Sequence, residues 1–216
     1  MTILNVKILC MILLGYAMGI IALLLGDGYY ENRFEDVMKK TFLSYVFSAA
    51  ACGFAALAFC RYGYDTIECL ALLFLISCLF VVGRIDKAKQ IIPNAIIILL
   101  FVIRTILYLL EVILHKDYGF ENCKIGIAGL VVAAIAFGVF KLICKDGIGM
   151  GDVKLLVLMG YYVGIYRCFL MLFTILLLAV IQITVKIITK KLKRKEGISF
   201  GPYIAAGGYV ALLIGI

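Results

Sequence analysis

Long apolar runs alternate with short polar segments along the chain. An α-helix rises about 1.5 Å per residue, so about 20 apolar residues cross the ~30 Å hydrocarbon core of a bilayer. Runs of roughly this length occupy residues 8–25, 41–60, 69–83, 93–114, 125–144, 153–166, 168–185 and 199–216. The pattern predicts an all-α fold, a polytopic transmembrane helical bundle of about eight spans within a range of six to eight.

The sixth and seventh runs are nearly continuous. A single helix over residues 153–185 would be about 50 Å long, which exceeds the thickness of a bilayer. Gly160 and Gly164 lie within this stretch and permit a break, so we predict two segments. The first run is followed by Gly-Asp-Gly at 26–28 and not by a small-residue cleavage site, so we expect a retained span.

Composition supports the membrane interpretation. The chain has 216 residues, 65% hydrophobic and 16% charged, and a mean hydropathy of +1.14. A disordered chain is excluded, and a soluble domain of this size has too little interior for so much apolar surface. The net charge of +8 would suggest a nucleic-acid partner in a soluble protein. In a membrane protein basic residues set orientation, so we expect the lipid bilayer as a partner and no nucleic acid.

The distribution of Lys and Arg predicts which ends of the spans face the cytoplasm. Fifteen of these residues lie in the alternate connections 26–40, 84–92, 141–154 and 186–196. Five lie in the other set, 1–7, 61–68, 115–124 and Arg167. Cytoplasmic segments carry the excess of basic residues, so the first set is cytoplasmic and both termini face outward. The basic run 186–195 is either an orientation anchor, which we favour, or a contact for anionic lipids.

Cysteine and histidine indicate no metal or disulfide site. The eight cysteines include no C-x-x-C pair, so neither a tetrathiolate zinc module nor a disulfide framework is predicted. His115 stands alone, without partners for a ligand role.

Two charged residues interrupt the fourth span. Arg104 and Glu111 are seven residues apart and lie near one helical face. They could form a polar contact inside the bundle. We favour the alternative, in which Glu111 snorkels outward while Arg104 bonds a backbone group.

Two aspartates lie at span ends on the same predicted side. Asp86 follows the third span and Asp152 opens the sixth, with two spans between them. Two carboxyl groups ~3 Å apart share one proton, so one can act as a base on water while the other donates to a carbonyl oxygen. Such a dyad requires no metal or cofactor. The alternative is that each aspartate is a juxtamembrane charge beside Arg84, Lys87 or Lys154.

The surrounding residues favour the dyad. Gly149 and Gly151 precede the second aspartate and leave room for the backbone of an extended substrate. Pro93 and Asn94 begin the fourth span, where proline suits the first helical turn. A third acid, Asp146, is interpreted as a turn residue.

Three stretches resemble the motifs of type IV prepilin peptidases. Residues 86–94, Asp-Lys-Ala-Lys-Gln-Ile-Ile-Pro-Asn, are similar to the first-aspartate motif of that family. Residues 149–156, Gly-Met-Gly-Asp-Val-Lys-Leu-Leu, are similar to its G-x-G-D-V-K-L motif. Residues 200–203, Phe-Gly-Pro-Tyr, resemble the motif that opens its last span. The order and spacing of the three agree, and the resemblance runs from about residue 66 to the C-terminus.

The resemblance implies a membrane-embedded aspartic endopeptidase, a single integral membrane domain over residues 1–216. Such enzymes remove the short basic leader of type IV pilin-like precursors, just before a hydrophobic helix, at the cytoplasmic face of the cell (inner) membrane. Asp86 and Asp152 would be the catalytic pair. Substrate binding or site shaping would fall to Gly149, Gly151, Lys154, Pro93, Asn94 and Pro202. Lys154 either orients the site or is a further cytoplasmic anchor.

The resemblance is closest to the short, peptidase-only forms found with tight-adherence or Flp-type pili. Larger bifunctional relatives carry a long cytoplasmic insertion with paired C-x-x-C motifs, associated with N-methylation. Here the connection 26–40 is short and has no cysteine, so methyltransferase activity is not expected. The presenilin and signal peptide peptidase group shares G-x-G-D, but its first aspartate follows tyrosine, whereas Ile85 precedes Asp86 here. Its Pro-Ala-Leu motif is also replaced by Phe-Gly-Pro.

A small proton-coupled transporter or channel is the second hypothesis. Proton-relaying acids in such proteins are expected at broken spans near the middle of the bilayer. Asp86 and Asp152 lie at span ends, which favours the peptidase.

Overall fold

Helices dominate the structure, a computed structural model that describes residues 9–21, 34–143, 149–188 and 200–215. In chain order they are α1 (Leu9–Ile21), α2 (Phe34–Arg61), α3 (Thr66–Lys89), α4 (Asn94–Leu114), α5 (Lys116–Ile143), α6 (Met150–Ile188) and α7 (Gly201–Leu213). Within these ranges there is no strand.

The helical membrane fold confirms the predicted class but not the predicted number of spans. Four helices among the described residues are long and apolar enough to cross a bilayer, over Thr66–Lys87, Asn94–Leu114, Lys116–Ile143 and Met150–Ile181. Three apolar stretches are shorter, at Leu9–Ile21 (α1), Ser48–Arg61 (the second half of α2) and Gly201–Leu213 (α7). This count of long apolar helices, which covers the described residues, does not support eight spans.

α3 lies at the centre of the bundle, whereas α4, α5 and α6 turn apolar side chains outward. Leu72 and Leu79 of α3 are almost completely buried. By contrast Ile98 of α4, Ile135 of α5 and Phe173 of α6 are each more than 60% exposed. Soluble proteins rarely expose so wide an apolar surface, whereas a lipid-facing surface requires it.

α6 is broken at Gly164, where φ is 77° and ψ is 174°. Glycine adopts such a positive φ readily, whereas a side chain would strain it. The break agrees with the predicted interruption within 153–185, although it precedes the predicted boundary near Arg167. One turn earlier α5 approaches closely, since a Cβ on Gly129 would collide with the backbone oxygen of Gly160.

Arg104 and Glu111 contact each other inside the bundle, so the favoured prediction that Glu111 snorkels outward is wrong. Nη1 of Arg104 lies 3.3 Å from Oε1 of Glu111, and the side chains are 4% and 3% exposed. The ring of Tyr108 lies against the guanidinium, 3.7 Å from its carbon. Asn122 of α5 donates to the second oxygen of Glu111 at 3.4 Å. Because α5 covers this face of α4, neither charge reaches the surface and the two pair instead.

Successive reversals of the chain bring four helix ends together. α3 ends with Gln90 in the left-handed conformation, its φ 53° and its N–H bonded to the Asp86 carbonyl. α4 begins directly after Pro93, α5 runs back, and α6 starts at the same end. α7 starts against α3, where Gly201 bonds Asp86. We call this region, the end of α3 with the starts of α4, α6 and α7, the site end.

Candidate active site

Asp86 lies on the last turns of α3 and faces the start of α7. The third span was predicted to end at residue 83, but α3 continues to Lys89, so Asp86 is held on a helix. Asp86 is buried, with only 5% of the residue exposed. Its Oδ2 accepts a hydrogen bond from the backbone N–H of Gly201 at 2.8 Å. The first N–H groups of a helix lack partners within that helix, so α7 has a donor to spare for this carboxyl.

Asp152 is held in a similar way in the first turn of α6. Its carboxyl accepts a hydrogen bond from the backbone N–H of Gly149, three residues earlier. This is half of a capping box, in which the side chain of the third helical residue accepts a hydrogen bond from the backbone N–H of the residue before the helix. Its Oδ1 is buried and has no partner among the residues that the structure describes. One carboxyl oxygen is therefore available to a ligand or to water.

The structure brings the two aspartates to one end of the bundle. They lie near enough for the charge of Asp86 to act on Asp152. The chain segments that carry them also touch, because a Cβ on Gly151 would lie 2.9 Å from the Cβ of Ile92. The topological requirement for a dyad is thus met.

Lys154 links the same two segments. Its Nζ donates to Oδ1 of Asn94 at 3.0 Å, which joins the first turn of α6 to the start of α4. Pro93, buried and extended with φ −64° and ψ 127°, sets where α4 begins, within one residue of the predicted start. That Lys154 orients the site stays a prediction, which this link between α4 and α6 allows.

The Phe-Gly-Pro segment closes the site end through a residue that sequence reasoning did not single out. A Cβ on Gly201 would lie 2.7 Å from the Cβ of Asp86 and 2.9 Å from its Oδ2. Only glycine therefore leaves space for the carboxyl. Pro202, which was predicted to shape the site, lies in the first turn of α7 against Gly83 of α3. The motif pointed to this stretch, but it could not indicate which of its atoms meets Asp86.

The arrangement suits acid–base chemistry. Two neighbouring carboxyl groups, each held by one backbone N–H, can exchange protons with a water molecule between them. No three potential metal-ligating side chains cluster within the described ranges. That the chemistry needs no metal or cofactor stays a prediction.

Some sequence predictions fall outside the described residues. Asp146, interpreted as a turn residue, lies in the segment 144–148, and most of the basic run 186–195 lies in 189–199. Cys144 also lies outside, while the other seven cysteines are free thiols.

Residues 73–184 match the type IV leader peptidase family. The match includes Asp86 and the 149–156 segment but not residues 200–203. No solved structure matches the chain significantly.

Several similar proteins bear the name prepilin leader peptidase/N-methyltransferase. The protein of Bacillus subtilis (strain 168) is 27% identical over 177 residues, which are 80% of this chain and 68% of that protein. The protein of Stutzerimonas stutzeri is 31% identical over 67% of this chain and 50% of its own length. That of Pseudomonas aeruginosa is 30% identical, over 67% and 49% respectively. The chain thus spans about half the length of the latter two relatives.

Proposed function

Because the chain belongs to the type IV leader peptidase family, we propose that it is a membrane-embedded aspartic endopeptidase that cleaves the leader from type IV pilin-like precursors. One observation carries the proposal. Asp86 and Asp152, from distant stretches of sequence, lie at one end of a helical membrane bundle and are each held by a backbone N–H.

In the proposed reaction the two aspartates act together on one water molecule. Burial disfavours a charged carboxylate and two carboxylates repel each other, so the pair holds one proton between them. The ionised carboxyl takes a proton from water as the water oxygen attacks the carbonyl carbon of the scissile bond. The protonated carboxyl donates to the carbonyl oxygen. When the tetrahedral intermediate collapses, the C–N bond breaks and the amine leaves with the proton that the first carboxyl took from water. A hydroxyl of the intermediate returns its proton to the second carboxyl, which restores the singly protonated dyad.

The neighbouring residues would hold this arrangement. The unpartnered Oδ1 of Asp152 is a suitable acceptor for the attacking water. A Cβ on Gly149 would lie 2.9 Å from Oδ2 of Asp152, so glycine here keeps that carboxyl accessible. Gly151 allows α6 to approach Ile92. Pro93 and Pro202 set the starts of α4 and α7, and so contribute to the shape of the site.

The proposed setting is the cytoplasmic face of the cell membrane. The excess of Lys and Arg in the connections at the site end supports this orientation. We propose one peptidase domain over residues 1–216. The absence of any C-x-x-C pair supports a peptidase without the methyltransferase named for the relatives.

Co-expression with a candidate prepilin, in cells that lack their own prepilin peptidase, tests the function. We expect a smaller product whose new N-terminus lies just before the hydrophobic helix. Uncleaved precursor in the presence of folded, membrane-inserted protein would contradict the proposal. Proton or ion flux in proteoliposomes without proteolysis would instead support the transporter hypothesis.

Gly201→Ala is expected to reduce kcat by about 10²-fold. The added methyl group would overlap the Asp86 carboxyl, and a displacement of a catalytic group by about 1 Å has an effect of this size. Gly208→Ala is the matched control on α7, since its methyl group would meet the flexible ends of Met159 and Leu79. Steady-state cleavage assays on both variants provide the measurement. A wild-type kcat for Gly201→Ala would show that this contact does not position Asp86.

Asn94→Ala and Lys154→Met are each expected to lower kcat/KM by about tenfold or less. A hydrogen bond to a charged group contributes about 1.5–3 kcal/mol at most, and the bond between Lys154 and Asn94 is exposed, so its contribution lies at or below the lower end of that range. Both variants break the same link between α4 and α6. The double variant should therefore be no slower than the slower single variant. Multiplicative losses in the double variant would indicate that the two side chains act independently.

A further inference from the structure

An apolar groove opens from the site end along the outside of the bundle. It lies between α1, α3 and α4 and has a volume of about 330 Å³. Its walls include Met18 of α1, Phe74 and Val81 of α3, and Ile96 and Leu99 of α4. Leu99 is 47% exposed, so the groove is accessible from the lipid side.

One end of the groove lies at the site end, where its lining residues are next in sequence to residues of the candidate site. Ile85, which lines it, is the residue before Asp86, and Pro93 lines it directly before Asn94. Along α3 the lining extends from Ile85 to Phe74, eleven residues, or about 16 Å of helix. A second helix lying beside α3 could therefore contact it over about three turns, starting at the site end.

The chemistry of the groove suits a wholly apolar occupant. The one hydroxyl in its wall, Ser77, already donates to the backbone oxygen of Leu73 at 2.9 Å. The hydroxyl of Ser77 therefore needs no hydrogen bond from a ligand. Inside a bilayer, helices associate through close van der Waals packing, which a concave surface provides and a convex one does not. Elsewhere on α4, exposed side chains such as Ile98 do not line the groove.

We propose that this groove binds the apolar helix of the substrate on the C-terminal side of the scissile bond. The inference rests on the proposed function, because it is the dyad that determines where the bond must lie. A peptide whose bond is held at Asp86 and Asp152 and whose next residues form a membrane helix must leave the dyad within the bilayer. The groove starts at the same end of the bundle, beside Ile85 and Pro93, and follows α3 into the membrane. The groove thus binds the apolar helix in the helix-in-groove manner, and this contact is separate from the contacts made to the leader.

Photo-crosslinking identifies the occupant directly. A benzophenone amino acid replaces Leu99, or Ile98 as the matched control, in full-length protein reconstituted in lipid nanodiscs. The probe is a model precursor with a basic leader followed by about 20 apolar residues, enough to span the bilayer. We expect a precursor adduct from position 99 and at least fivefold less from position 98. Adducts at position 99 with lipid only, with the protein's own chain only, or equal to those at position 98 would overturn the proposal.

Kinetics separates the groove from the catalytic site. Leu99→Asn would place an amide against the apolar helix, so we expect KM for the model precursor to rise about tenfold with kcat unchanged. A short peptide with the same leader and junction but no apolar helix should be cleaved by Leu99→Asn at the wild-type rate. Ile98→Asn should change neither substrate by more than twofold.

The outcomes distinguish failure of the groove from failure of the proposed function. If wild-type protein cleaves the precursor but Leu99→Asn behaves as Ile98→Asn does, the groove proposal is wrong and the peptidase remains. If wild-type protein cleaves neither substrate, the proposed function fails and the groove proposal fails with it. Equal KM increases for both substrates in Leu99→Asn would also overturn the groove, because only the longer substrate can occupy it.

Discussion

Replacing either Asp86 or Asp152 with asparagine is expected to lower kcat/KM for precursor cleavage by about 10³-fold or more. Asparagine keeps the shape of aspartate and an acceptor oxygen, so the hydrogen bonds from Gly201 and Gly149 can still form. It cannot take up or release a proton. One amide in the pair therefore removes either the base that activates water or the acid that protonates the carbonyl oxygen.

The measurement is a cleavage assay with purified variants, together with thermal unfolding in the same detergent to show that each remains folded. Asp146→Asn is the control, since it is a third acid close in sequence to Asp152 and is not expected to take part. Cleavage by either dyad variant within tenfold of wild type would refute the two-aspartate mechanism. If Asp146→Asn lost as much activity as Asp152→Asn, the assignment of Asp152 as the second catalytic acid would be wrong.

The second large effect is expected at the buried ion pair. Arg104→Met or Glu111→Leu alone should lower the free energy of unfolding by about 3–5 kcal/mol, because each leaves one buried charge without its counter-ion. The double variant removes both charges and should be more stable than either single variant. This reversal is the signature of a buried pair, since most double variants are less stable than their parents.

Reversible unfolding in mixed detergent micelles measures these differences. Lys124→Met is the matched control, because Lys124 also pairs with a glutamate, Glu121, at 2.8 Å, and their side chains are 55% and 63% exposed. Exposed pairs contribute about 0–1 kcal/mol, so this variant should be close to wild type. Additive losses in the Arg104 and Glu111 double variant would show that the two side chains do not depend on each other.

The site illustrates how far sequence reasoning extends. The positions of Asp86 and Asp152 at one end of the bundle could be predicted, because α4 and α5 between them return the chain to its starting side. The motifs also directed attention to the starts of α4, α6 and α7. The role of Gly201 could not be predicted, because its contact with Asp86 joins residues 115 positions apart.

Hydropathy and helical periodicity leave details of the fold undetermined. Hydropathy predicted an interruption within 153–185, which the break at Gly164 confirms, but it placed the boundary a few residues later, near Arg167. For Glu111, helical periodicity predicted the face of α4 on which the side chain lies, but not which helix packs against that face. Since α5 covers that face, the carboxylate points inward to Arg104.

The sequence by itself determined the helical membrane class, the family and the common side of the two aspartates. These depend on run length, local motifs and the number of crossings, all of which are properties of the chain read in order. Only the tertiary structure decided which atoms meet: Gly201 with Asp86, Lys154 with Asn94, and α1, α3 and α4 around an apolar groove. Such contacts depend on how helices distant in sequence pack, which local hydrophobic periodicity does not specify.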